Sequence, residues 1–302
     1  MTENTNPLGK YYRQPQIYIR LPSKGKYYPA DVFTPTETGE IPVLPMTAKD
    51  ELSFKTPDSM MSGQSTVDVI QSCVPNFKNA WKMVNFDTDA VLLAIRIATY
   101  GETMDVNYKV PVTNEDMTHT VNLPALLEDL GKTNIVDEAT TKTGFKVKLA
   151  PLDYQALTQV QVAQFEQQKI YATVNNSALS ETDKSTQFVK SFKILNNINF
   201  GMLVDSITEI TTPEGTTVVD KGQIKDFCDN CDAKVINEIQ DELAIIRSQA
   251  QIKPIKLQST EEQIKKGAPT SYEVPVTFDL SLIHISEPTR QAEISYAVFC
   301  LK

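Results

Sequence analysis

Glycine, histidine and cysteine are all scarce in this chain. Eleven glycines and two histidines in 302 residues leave little of the pliant backbone that active-site loops favour, and little imidazole for proton transfer or metal binding. No glycine-rich phosphate loop, no G-x-S-x-G and no H-E-x-x-H occurs, so the familiar signatures of nucleotide binding, serine hydrolysis and zinc proteolysis are missing. No run approaches the roughly 20 apolar residues of a membrane helix. The opening MTENTNPLGK has no apolar segment of the secretory kind, so no signal for export is expected there.

The scarcity deepens when the last stretch is set aside. Leu280 to Arg290 (LSLIHISEPTR) and Ile294 to Leu301 (ISYAVFCL) have the wording that a transposon-type sequencing adapter and its flow-cell primer encode in frame, and Gln291, Ala292 and Glu293 fill the gap that an index would occupy. The other reading is a genuine terminal strand, for which ISYAVF would pass. On the adapter reading the natural chain runs from Met1 to about Asp279 and its own ending is missing. His119 is then the remaining histidine, with Cys73, Cys228 and Cys231 as the thiols. Three cysteines cannot all pair, which fits a reducing cytoplasm better than a disulfide scaffold.

What is present is mostly acid. The net charge is −9, and the adapter-like stretch does not change it, because its two acidic and two basic side chains cancel. Such a balance argues against general nucleic-acid binding. The charge is uneven, however. Residues 1–28 hold Lys10, Arg13, Arg20, Lys24 and Lys26 against Glu3 alone, with Tyr11, Tyr12, Tyr27 and Tyr28 among them. A basic, aromatic arm on an acidic body docks either on an acidic partner or back on its own chain; the sequence leaves both open.

The hydrophobic pattern predicts an α+β protein, mostly helical, with two or three small antiparallel β-hairpins or strands. Ile17, Ile19 and Leu21 alternate with Tyr18 and Arg20, as a half-buried strand does. Ile41 to Met46 is interrupted by Pro42 and Pro45 and makes at best an edge strand. Thr47 with Asp50 opens a short helix, Pro57 sits at a helix start, and Ser65 caps a helix that ends before Pro75. Asp87 to Tyr100 reads as the central helix, apolar on nearly every face, stopped by Gly101, with Arg96 as its one interior charge.

Beyond Gly101, residues 104–121 alternate as a hairpin. A helix covers 124–131, and Phe145 to Leu149 make a strand. Long helices are expected from Pro151 to Val174, rich in Gln, and over 180–205. A second hairpin turns at Thr212 to Gly215. Helices over 221–230 and 231–250, a charged flexible link from Ser259 to Pro269, and a strand from Tyr272 to Phe278 complete the reading. The expected units are an extended arm (1–46), a helical core domain with a hairpin (47–150), a helical domain with a hairpin and terminal strand (151–279), and the adapter-like 280–302.

Few side chains suggest chemistry. Cys228 and Cys231 form a CxxC, but a zinc site needs about four ligands, and Asp226, Asp229 and Asp232 surround the pair where a redox thiolate needs positive charge. Small core residues beside Phe227 are the simpler reading. His119 alternates in register with Met117 and Val121 and has no histidine partner. Asp50-Glu51, Glu128-Asp129, Glu238 and Asp241-Glu242 show no spacing that holds two carboxylates in a pocket; Glu238 in particular reads as part of a solvated face.

LPSKGKYYP (21–29), TGEIPVLPMTAKDE (38–51), TPD (56–58), VIQSCVPNFKNAW (69–81) and DAVLLAIRIATYG (89–101) follow one another in an order and spacing that resemble the base plate protein family of T-even-type tailed phages. The likeness continues more weakly through IKDFCDNCDAKVINEIQ (224–240). The resemblance implies a structural or assembly component of the baseplate hub of a contractile tail, working through protein contacts without catalysis, in the virion tail or in the host cytoplasm during assembly. Its partners would be other baseplate hub and tail proteins, with no nucleic acid, membrane, small-molecule substrate or cofactor. Many members of that family carry a CxxC where this chain has Val110 to Thr113, and a second cysteine pair where it has 257–269; together these would make a zinc ribbon. Both halves are absent here, so the hairpin and the last strand are expected to pair by packing. A zinc-dependent adaptor or enzyme using Cys228 and Cys231 is the alternative. No catalytic, cofactor-binding or metal-ligating residue is assigned, and the candidate partner contacts are Arg13, Tyr18, Arg20, Lys24, Lys26 and Tyr27.

Overall fold

The computed structural model describes residues 6–54, 63–133, 135–175, 180–249 and 252–276. The adapter-like stretch and the helix start expected at Pro57 lie outside the described residues. Among the described residues helix outweighs strand, and the strands form four small antiparallel sheets, three of two strands and one of four. This is the α+β class expected.

The first body begins with β1 (Ile17–Ile19) and β2 (Ile41–Val43), paired so that Ile17 faces Val43 and Ile19 faces Ile41. The alternation places Ile19 inside and Tyr18 outside. Helices α1 (Ala48–Phe54), α2 (Gln64–Cys73) and α3 (Asn85–Tyr100) follow. Ile19, Leu21, Val32, Phe33, Ile41 and Val43 share one buried cluster with Val67, Ile70, Phe77, Val91 and Ile95. The N-terminal segment therefore supplies part of the core on which α2 and α3 rest.

Two expectations are corrected here. Ser65 does not cap α2: the helix starts after Gly63, which is left-handed (φ 75°), and the Ser65 hydroxyl instead donates to the Ser53 carbonyl at 3.1 Å. Arg96 is not the one interior charge of α3: it is half-buried, its Nε is buried without a hydrogen-bond partner among the described residues, and its guanidinium lies 5.5 Å from the Tyr100 ring. The acidic groups that go inside are Asp87 and Asp89. Asp87 is fully buried, and burial alone pushes the Asp89 carboxyl up to about 6.

The apolar girth of α3 separates two clusters. Val91, Ala94 and Ile95 face the first. Ala90, Leu93 and Ile97 face a third cluster built with Met104 and Val121 of the hairpin β3 (Thr103–Lys109) and β4 (Asp116–Asn122), and with Leu123 and Leu130 of α4 (Leu123–Gly131).

The second body is the four-stranded sheet, in the order β5 (Glu138–Thr140), β6 (Lys146–Leu149), β7 (Ile207–Thr211), β8 (Thr217–Val218). Neighbours β6 and β7 are 57 residues apart in the chain, and the long helices α5 (Tyr154–Asn175) and α6 (Glu181–Ser206) leave and re-enter the sheet between them. Their free flanks keep Val162, Phe165, Val189 and Phe192 exposed. Against the sheet pack α7 (Lys221–Asn230) and α8 (Ala233–Gln249) through Ile224, Val235, Ile239, Leu243 and Ile246. The apolar spacing of three and four residues along α8 is what turns one face to the sheet.

The last hairpin pairs β9 (Ile255–Gln258) with β10 (Ser271–Val274). Between them the expected flexible link is a helix instead, α9 (Glu261–Lys265), held by a capping box: the Thr260 hydroxyl accepts from the Gln263 backbone, and the Gln263 side chain accepts from the Thr260 backbone. The expectation that the β3–β4 hairpin and the final strand pair is corrected: β10 pairs with β9 in a sheet of its own and meets the other hairpin through side chains.

Candidate interaction surface

Residues 21–29 form a loop built on a carboxylate. Asp87, in the first turn of α3, turns inward and accepts from the Ser23 backbone at 2.9 Å, from the Ser23 hydroxyl, and from the Tyr28 hydroxyl at 2.6 Å. The Val84 N–H in turn donates to the Tyr28 oxygen at 3.1 Å. Burial raises the Asp87 carboxyl to about 6, although the bonds from Ser23 and Tyr28 favour its charged form. Burial and the Asp87 charge together push the Tyr28 hydroxyl well above its ordinary value.

The loop turns at Lys24 and Gly25, two consecutive left-handed residues with φ of 55° and 77°. Lys26 N–H closes the turn on the Ser23 carbonyl at 3.1 Å, and the Gly25 N–H reaches the Ser23 hydroxyl at 3.0 Å. Position 25 needs glycine twice over, because a Cβ there would lie 3.3 Å from the Phe33 ring in a backbone region that side chains disfavour.

Arg13 forms a second buttress. Its guanidinium donates to the Pro45 carbonyl at 2.7 Å, to the Ser72 carbonyl and hydroxyl at 2.8 Å each, and to Asp50 at 3.2 Å. Burial tends to raise the Asp50 carboxyl, but the Thr47 backbone and hydroxyl, the Ser72 hydroxyl and Arg13 outweigh it and hold the group below its usual value. Only a planar fork can reach α2, the strand end and α1 at once. Arg13→Ala is expected to destabilise the fold by about 1–3 kcal/mol, with Arg13→Lys recovering only part of the loss. Urea unfolding of the two variants checks this.

The six candidate contacts therefore divide. Arg13 is turned inward. Tyr27 is half-buried with its ring edge on Phe86 at 6.2 Å, and burial followed by the nearby Asp137 raises its hydroxyl to about 12. Lys26 pairs with Asp137 at 2.6 Å, and Arg20 pairs at the surface with Glu40 at 3.2 Å. Tyr18 is 60% exposed. The Lys24 side chain is exposed and makes no hydrogen bond or ion pair among the described residues.

Where the family likeness implies a zinc ribbon, the residues do not fit the metal. Val110 is fully buried, the Thr113 hydroxyl is buried without a hydrogen-bond partner, and 257–269 supplies neither cysteine nor histidine. The two hairpins are clasped differently. Glu115 accepts from Lys266 at 2.6 Å and from Gln263 at 3.2 Å, while the Tyr108 and Tyr272 hydroxyls lie 3.3 Å apart. Cys228 and Cys231 lie elsewhere, on the second core. Cys228 is buried beside Ile224 and its thiol is pushed up to about 11 by burial and then by the neighbouring Cys231 and Asp229. Cys231 lies just past the end of α7 as its C-cap, and its N–H donates to the Phe227 carbonyl at 2.8 Å. Among the described residues no group of three or more His, Cys, Asp or Glu side chains is placed to hold a metal ion.

Sequence reasoning missed Asp87 and Glu238. Asp87 read as a helix-starting acid, because its partners lie about 60 residues earlier and leave no local trace. Glu238 is not simply solvated: it accepts from the Thr143 backbone at 3.2 Å and hydroxyl at 3.1 Å, tying α8 to the β5–β6 turn.

The described residues form an α+β protein in which Arg13 and Asp87 hold the N-terminal segment while Tyr18, Arg20 and Lys24 stay exposed. The family described as T4 bacteriophage base plate protein matches residues 15–266. The chain belongs to that family and is a phage baseplate structural protein. No curated protein and no solved structure matches it.

Proposed function

We propose that the chain is a structural or assembly component of the baseplate hub, acting through protein–protein contacts with other hub and tail proteins and without catalysis. Family membership over nearly the whole described chain carries the reading. The buttressed N-terminal surface supports it: Arg13 and Asp87 fix a segment from which Tyr18, Arg20 and Lys24 face outward, on a chain whose net charge is −9. Basic side chains held in place on an acidic molecule steer and orient an acidic partner. The exposed apolar side chains of α5 and α6 offer a second contact area.

Disrupting the gene in its parent phage is expected to stop tail assembly before the sheath is added. Normal tails from the disrupted phage would sink the reading. Mass spectrometry of finished tails then separates its two forms. A permanent subunit appears in stoichiometric amount, whereas an assembly factor appears in hub intermediates from infected cells and not in finished tails.

A further inference from the structure

The turn at the tip of the 21–29 loop carries an unexplained strain. Left-handed backbone suits glycine, and among other residues asparagine and aspartate tolerate it best. Gly25 meets that demand, yet Lys24 holds φ at 55° beside it. Nothing inside the molecule explains a lysine there. Of the arm's five cations, Arg13, Arg20 and Lys26 pair with Asp50, Glu40 and Asp137, and Lys10 lies 4.9 Å from the Tyr11 ring centroid. Lys24 alone has no such partner among the described residues. Its backbone is also unusually well fixed: its own N–H donates to the Leu21 carbonyl at 2.9 Å, and the flanking Ser23 is bonded twice to buried Asp87. Strain kept at an exposed, rigidly held position is a mark of a residue retained for contact and not for folding.

We infer that Lys24 is the anchor of the N-terminal surface, presented in advance to a carboxylate pocket on a neighbouring baseplate protein. Charge selects the occupant, since among the described residues the Lys24 ammonium has neither the acidic partner that Arg13, Arg20 and Lys26 have nor the aromatic ring that Lys10 has. Rigid presentation removes the ordering cost that a free lysine would bring to the contact. The inference rests on the reading of the chain as a baseplate component.

The test uses the parent phage with a nonsense mutation in this gene, complemented by the full-length protein. Lys24→Asn removes the charge while suiting the left-handed turn. Purified Lys24→Asn protein is expected to melt at or slightly above the wild-type temperature and yet to lower the particle yield at least tenfold. Lys24→Arg, which keeps charge and strain, is expected to complement within about twofold. Lys24→Asn complementing as well as wild type, or melting well below it, overturns the inference. If the nonsense mutant itself makes normal tails, the baseplate-component reading fails instead, so the two failures are distinct. Zero-length carbodiimide cross-linking of baseplate assemblies from complemented cells identifies the occupant. Linkage of Lys24 to an Asp or Glu of another baseplate protein supports the assignment; linkage to a second copy of this chain, or none at Lys24, overturns it.

Discussion

Asp87→Ala is expected to lower stability by at least about 3 kcal/mol, because it leaves the Ser23 N–H, the Ser23 hydroxyl and the Tyr28 hydroxyl without their acceptor in a buried site. The loss should be read by denaturant unfolding and accompanied by fast amide exchange over 21–28. Asp87→Asn is expected to cost less, since the amide keeps one acceptor and removes a desolvated charge. The carboxyl also sets a pH dependence. Its folded-state value near 6 lies above the unfolded value of about 4, so the folded chain holds the proton more tightly. That contribution is fully present below about 4 and is lost as pH rises through about 6. Asp89 has the same sign and window. Asp50, with its lowered value, acts oppositely: its contribution is present above the unfolded value and is lost as pH falls through the folded one. The melting temperature should therefore fall between about pH 4 and 6, and Asp87→Asn should flatten the slope while leaving the share of Asp89. A wild-type protein whose stability rises across that interval would contradict the burial of this pair.

Phe77→Ala is expected to cost about 3–5 kcal/mol. The Phe77 ring is 2% exposed and packs 4.7 Å from Phe33 and 5.3 Å, edge-on, from Tyr28. Around it the backbones of 32–34 and 76–78 exchange bonds, Thr34 N–H to the Asn76 carbonyl and Lys78 N–H to the Val32 carbonyl, both at 2.9 Å. One ring thus welds the N-terminal segment to the chain between α2 and α3. Phe77→Leu should keep most of the packing and cost about 1.5 kcal/mol or less. Equal losses from the two variants, measured by urea unfolding, would show that ring packing is not what holds the segment.

Both effects concern contacts that the sequence could not announce. The central helix, the two hairpins and the apolar stripe of Val235, Ile239, Leu243 and Ile246 were legible because periods of two and of three to four residues report which face is buried. The α9 turn is not legible as a helix although Thr260 and Gln263 spell a capping box, because the charges around it suggest a flexible link. The basic arm was visible as composition, but which of its cations stay free depended on Asp50, Glu40 and Asp137 arriving from other elements.

By itself, the order of residues determined the helical majority, the small antiparallel sheets, the absence of a catalytic signature and the family, since all of these rest on local periodicity or on ordered blocks of sequence. Tertiary structure alone decided that Asp87 is a buried keystone, that Arg13 spans three elements, and that Lys24 is left strained and unpaired. Those are properties of burial and of distance between residues far apart in the chain, and a carboxylate's environment is set by what folds over it rather than by its neighbours in sequence.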